Sequence, residues 1–227
     1  MEGIVWYVAF VMSATLHEAA HAWAAMRGGD PTAYAGGQVS LDPVPHIRRE
    51  PFGMVVLPLI SVFLMGWPFG YASAPYDPQW ASRHPHRAAW MAAAGPAANF
   101  LLVLLCAGAV WIGILTGNFL VPDSVRYTSI VEPANDGLAR TLSFVLSVLF
   151  SMNLLMTVLN LIPLPPLDGS AAIGLLMSEE KAVRLQAITR TPGFAIIGLM
   201  LAWHIFGPLF RLAFLAIMSL MYPSHYS

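Results

Sequence analysis

Long apolar runs separated by short polar intervals make up most of the chain. Four of them, Gly3–Met26, Ala88–Leu115, Thr141–Ile162 and Phe194–Tyr222, are each long enough to cross about 30 Å of hydrocarbon as helices. A fifth, Phe52–Met65, stops at Gly66-Trp67-Pro68. It is too short for a full span, so it is expected to dip into the membrane and return. Before it, in Tyr34–His46, Gly36-Gly37 and Asp42-Pro43 frame the alternating Gln38-Val39-Ser40-Leu41, the pattern of a short strand or hairpin. Backbone of that kind persists at membrane depth only where it lines a protein-walled cavity. The expected fold is an all-α polytopic membrane protein with about four full transmembrane helices, a re-entrant segment and a short membrane-associated β-hairpin. It forms a single domain over 1–227, with its core at 3–178 and a C-terminal span at 193–222.

Composition agrees with lipid as the solvent: 57% of residues are hydrophobic and 10% charged, with a mean hydropathy of +0.65. The formal net charge of −1 comes without a basic tail or patch, which sets nucleic acid aside as a partner. The single cysteine, Cys106, excludes an intramolecular disulfide framework and a cysteine-rich metal site. Met1-Glu2-Gly3 lacks the positive start of a signal peptide, so the first run is expected to stay on the mature protein. Arg27, Arg48, Arg49, Arg83 and Arg87 all fall between the first and second full spans, and Lys181, Arg184 and Arg190 after the third. The positive-inside bias puts those loops in the cytoplasm, with the N-terminus outside. The sequence sets no oligomeric state.

The first span carries His17-Glu18-Ala19-Ala20-His21. On a helix, imidazoles four residues apart are offset by roughly 40° and 6 Å, so both reach one metal ion while the adjacent carboxylate reaches a water on it. Neutral imidazoles suit zinc, and a carboxylate suits the proton that zinc makes labile. Three ionisable side chains inside an apolar span are costly unless a metal or partners compensate. The bland reading makes them hydrogen-bonding glue between helices. A catalytic zinc needs a third protein ligand, and the best candidate is Asp168, where Pro163, Pro165 and Pro166 end a span and Gly169 lets the chain turn. The ligand types also suit iron or cobalt.

Three motifs in order, the H-E-x-x-H, Gly95-Pro96-Ala97-Ala98-Asn99, and Asn160 to Gly169 ending in Leu167-Asp168-Gly169, together resemble the site-2 protease family of intramembrane metalloproteases. The likeness runs from about residue 10 to residue 175. It implies Zn2+ held by His17, His21 and Asp168, Glu18 as the catalytic carboxylate, and peptide hydrolysis in or near the transmembrane helices of a membrane-protein substrate. It also implies that Asn99 and Asn160 contact the substrate backbone or orient the site, and that Tyr34–His46 receives an unwound substrate. Asn99 has helix packing as its plain alternative. Many relatives carry a PDZ or nucleotide-sensing module, and the Thr116–Arg140 loop is too short for either. His46 is read as interfacial rather than as a ligand, and His84-Pro85-His86 as a solvated loop. Arg211 either snorkels near a helix end or lines the site entrance. A membrane zinc transporter using the same ligands is the alternative function, and a catalytically silent binder of transmembrane helices the third.

Overall fold

The computed structural model describes residues 2–189 and 191–223, so Arg190, counted above among the inner charges, lies outside them. Four helices are long and apolar enough to cross a membrane: α1 (Glu2–Arg27), α6 (Pro85–Leu115), α7 (Leu138–Leu161) and α10 (Pro192–Met221). Each lies within three residues of its expected run. The short helices between them are α2 (Thr32–Ala35), α3 (Pro43–Arg49), α4 (Leu57–Met65), α5 (Pro78–Arg83), α8 (Gly169–Ala172) and α9 (Glu179–Thr189).

α1 and α7 run antiparallel to α6, and all three meet in the middle of the bundle. Gly28 lies against Trp80, and Gly95 faces His17 and His21. Farther along, Asn99 reaches Ser13 and Asn153. α10 packs beside α7 through Phe210, Phe214 and Met218, which share one apolar cluster with Phe150 and Leu154. Most of its surface is otherwise exposed, as suits a helix bathed in lipid. Arg211 is on that exposed surface and is not among the residues that line the cleft described below.

The fifth run behaves as a re-entrant element. A π-helical segment, Phe52–Val56, leads into α4. Met54 packs with Phe10 and Ala14 of α1, whereas Val62 sits against Gly3, so α4 climbs back along α1 toward its N-terminus. Gly66 ends it with φ of +82°, a conformation that glycine adopts without penalty. The chain then returns: the Tyr71 amide bonds the Gly53 carbonyl at 3.1 Å, and the Asp77 amide bonds Asp30, just beyond the end of α1, at 2.7 Å. Gly70 touches Phe10, so residues 70 to 77 cover the length of α1 from about Phe10 to its end. That is roughly 25 Å at 1.5 Å per residue, and seven residues reach so far only when nearly fully extended.

The expected strand at Gln38–Leu41 is not there. Gln38 to Asp42 form a bent link between α2 and α3, because Asp42 caps α3 by accepting from the Val44 amide at 2.9 Å with Pro43 at the first helical position. Among the described residues the strand pair is β1 (Phe119–Leu120) with β2 (Glu132–Pro133), antiparallel, in the loop joining α6 to α7. That loop folds into the bundle, where Ser147 accepts from the Ile130 amide and Ser151 donates to the Tyr127 carbonyl.

Candidate metal centre

His17, Glu18 and His21 all lie on the buried face of α1, and one ligand atom from each falls within 4.8 Å of the others. Asp168 comes to the same point from α7. Past Ile162 the chain closes a tight turn, with Leu164 bonded back to Ile162 and Leu167 to Leu164. Gly169 then packs so closely on the Leu161 and Ile162 carbonyls that a Cβ would collide with them. This turn sets Asp168 Oδ2 at 2.9 Å from His17 Nε2 and 3.3 Å from His21 Nε2. The two Nε2 atoms are 3.0 Å apart.

The hydrogen bonds behind the imidazoles decide what these atoms are. His21 Nδ1 faces the Met91 carbonyl at 2.7 Å, and a carbonyl only accepts, so Nδ1 carries the proton. His17 Nδ1 faces Asn99 Oδ1 at 2.5 Å. The Asn99 amide cannot be turned over, because its nitrogen donates to the Ser13 carbonyl at 3.2 Å and to Asn153 Oδ1 at 2.8 Å. Asn153 in turn is held by its own donation to the Leu149 carbonyl at 2.8 Å. In their neutral form both imidazoles, protonated at Nδ1, turn bare Nε2 lone pairs to one point, and Asp168 adds a carboxylate oxygen. In that form three acceptors crowd together and repel one another until a cation, a proton or a metal ion, sits between them. Their separations suit tetrahedral zinc, whose ligand atoms about 2.0–2.1 Å from the metal lie roughly 3.3 Å apart. Gly95 keeps the space clear, since a Cβ there would stand 2.6 Å from His17 Nε2. The donor set and its cradle fit a zinc ion.

Glu18 is 6% exposed. Its carboxylate makes no hydrogen bond among the described residues and opens, with His21 and Asp168, onto a cleft of about 350 Å³. One wall of the cleft is the returning segment at Ala72, Ser73 and Ala74; another is α9, through Gln186 and Thr189. The Ser73 carbonyl accepts from Gln38 Nε2 at 3.4 Å, but the amides of Ala72, Ser73 and Ala74 and the carbonyls of Ala72 and Ala74 find no partner among the described residues.

A profile described as peptidase family M50 matches residues 5–201. The chain belongs to that family, the site-2 proteases. It is 30% identical over 163 residues to a Bacillus subtilis protein named "Putative zinc metalloprotease YwhC", covering 71% of this chain and 64% of the relative. It is 29% identical over 192 residues to "Putative zinc metalloprotease Rip2" of Mycolicibacterium smegmatis, covering 85% of this chain and 64% of that protein. The chain thus spans somewhat less than two thirds of either relative. No solved structure matches it.

Within this M50 chain the four residues read as ligands and base come together. Asn99 joins them from behind His17, with every amide hydrogen bond directed at protein. Asn160 lies apart: it is half-buried near the end of α7, makes no side-chain hydrogen bond among the described residues and does not line the cleft. His46 is buried, 1% exposed on α3, with Nε2 donating to the Ser40 carbonyl at 3.0 Å. His86 bonds the Met177 carbonyl at 2.9 Å, away from the centre. The sequence reading passed over Asn153, although an amide in an otherwise apolar stretch of a span is a signal in its own right. It also passed over the 72–74 edge, which short alanine-rich coil does not advertise.

Proposed function

We propose that this protein is an intramembrane zinc metalloendopeptidase that hydrolyses peptide bonds in or near the transmembrane helices of membrane proteins. One observation carries the reading: ligand atoms of His17, His21 and Asp168 converge beside a carboxylate that has no hydrogen-bond partner among the described residues and faces a cleft. His17, His21 and Asp168 would hold zinc, which when bound supplies Lewis acidity toward a carbonyl and makes a water acidic near neutral pH. Glu18 takes a proton from the attacking water on a carboxylate oxygen and delivers it to the departing amine nitrogen, so the peptide C–N bond breaks as the water oxygen joins the carbonyl carbon. Asn99 holds the His17 ring and its tautomer while this happens.

A substrate helix satisfies its own backbone, so it must unwind before attack. The unpaired groups of Ala72 to Ala74 then offer an edge to which an extended peptide adds as a strand, in place of the Gln38–Leu41 strand the sequence suggested. Arg27, Arg83 and Arg87 cluster at the end of the bundle nearer the centre, with Arg87 bonding the Gly28 carbonyl. That bias favours a cytoplasmic membrane with the site toward the cytoplasm. His17 and His21 lie ten and six residues before Arg27, about 15 and 9 Å below that end.

The test pairs zinc content with cleavage of transmembrane peptides in detergent, for the wild type and Glu18→Gln. Stoichiometric zinc in both, with cleavage lowered about 10²- to 10⁴-fold in the variant, is the expected result. Undiminished cleavage by Glu18→Gln removes the proposed base. A wild type that holds zinc, cleaves nothing and carries zinc across vesicle membranes would establish the transporter instead.

A further inference from the structure

The cleft has a second polar wall. α9 keeps its charged residues Glu179, Glu180, Lys181 and Arg184 exposed, with Arg184 bonded to Glu180 at 2.6 Å. Its uncharged Gln186 instead lines the cleft that opens on Glu18, His21 and Asp168. The carboxamide oxygen of Gln186 is buried and has no hydrogen-bond partner among the described residues. Thr189, one turn on, lines the same cleft and spends its hydroxyl on the Gln186 backbone carbonyl at 3.2 Å, so it does not compete for the amide. A buried acceptor left bare is costly in a folded protein unless a ligand or water completes it.

The chemistry of an extended peptide supplies what is missing. A strand carries N–H and C=O groups on both edges. Pairing one edge with Ala72 to Ala74 leaves the other facing across the cleft, screened from bulk water, where unpaired amides are unfavourable. Resting on the proteolytic reading above, we propose that Gln186 is a substrate-binding residue: its carboxamide oxygen accepts a backbone N–H from the edge of the extended substrate opposite the one paired with Ala72–Ala74. The substrate backbone is then gripped from both sides, which fixes the scissile carbonyl relative to Glu18 without reading side-chain identity. Selection by such a clamp falls on segments able to unwind.

The experiment measures kcat and KM for a peptide that the wild type cleaves, with zinc content recorded for every variant. Gln186→Met keeps the length of the side chain and removes the acceptor; Gln186→Glu keeps acceptor oxygens. Gln186→Met should raise KM about tenfold, the equivalent of one hydrogen bond, with zinc content and kcat nearly unchanged, while Gln186→Glu, which keeps an acceptor, should raise KM less than Gln186→Met. Peptides methylated at one backbone nitrogen at a time then locate the contact. At one position methylation should raise KM for the wild type and add nothing for Gln186→Met. Gln186→Asn, which draws the amide back by one methylene, gives the same reading if the methionine variant does not accumulate. An unchanged KM in Gln186→Met, or methylation penalties identical in both proteins at every position, overturns the clamp and leaves the protease standing. A wild type that holds zinc and cleaves no peptide overturns the proteolytic reading, and the clamp with it.

Discussion

Gly95 stands directly against His17: a Cβ placed on the glycine would lie 2.6 Å from His17 Nε2 and closer still to His21 Nε2. The residue is a clearance, because any side chain on this turn of α6 competes with the metal for the space between the imidazoles. Gly95→Ala improves helix propensity by up to about 1 kcal/mol, so loss of the helix cannot explain its effect. The expected outcome is a protein with unchanged helical content whose zinc affinity, measured by competition with a chelator, falls by at least roughly tenfold. Wild-type affinity in Gly95→Ala would mean that the imidazoles do not converge beside this glycine.

The tautomer of His17 depends on a chain of amides crossing three helices. Asn99 accepts from His17 Nδ1 and donates to both Ser13 and Asn153. Asn99→Leu removes the acceptor, frees His17 to turn, and should weaken zinc binding by about 10- to 100-fold, as loss of an outer partner usually does. Asn153→Leu leaves the Asn99 amide one of its two acceptors, the Ser13 carbonyl, so its effect should be in the same direction and smaller. Chelator competition and the absorption spectrum of the cobalt-substituted protein check the order; equal affinities in all three proteins would reduce the network to packing.

Much of this centre was legible because helical spacing is arithmetic. His17 and His21 share a face of α1 wherever that helix is placed, and the apolar runs that require helices also fix their limits. Asp168 was legible through its prolines, which end α7 and force a turn. The strand expected at Gln38–Leu41 was not, since the alternation there spans four residues and loses to the Asp42 cap and Pro43, which commit the following residues to α3. Asn153 was missed because its partner is 54 residues away, a separation that only packing of α6 on α7 closes. The burial of His46 was not legible for the same reason: it comes from α3 packing against α1, and no local pattern signals that.

Asp30 ties the end of α1 to the segment that returns from the re-entrant turn. It accepts from the Thr32 amide and hydroxyl and from the Asp77 amide. Burial works to raise its pKa, but these hydrogen bonds prevail and hold the carboxyl below the ordinary aspartate value. A depressed folded pKa contributes stability that is fully present above the unfolded value of about 3.9 and disappears as pH falls through the folded one. Asp30→Asn turns a donor toward one of these amides and should cost about 1–3 kcal/mol at neutral pH. The gap in melting temperature between wild type and variant should be widest near pH 7 and close below pH 4; a gap independent of pH would remove the carboxylate's charge from the account.

The edge at Ala72 to Ala74 makes a prediction that separates backbone from bulk. Proline at position 74 suits extended backbone but has no N–H to offer a substrate strand, whereas valine adds comparable bulk and keeps the N–H. If the substrate adds to this edge, Ala74→Pro should raise KM several-fold more than Ala74→Val, with zinc content the same in both, because neither change reaches His17, His21 or Asp168. The comparison is made on one transmembrane peptide in one detergent. Equal losses in the two variants would mean that position 74 bounds the cleft by its volume alone, and the substrate would then have to find its backbone partners elsewhere along the cleft.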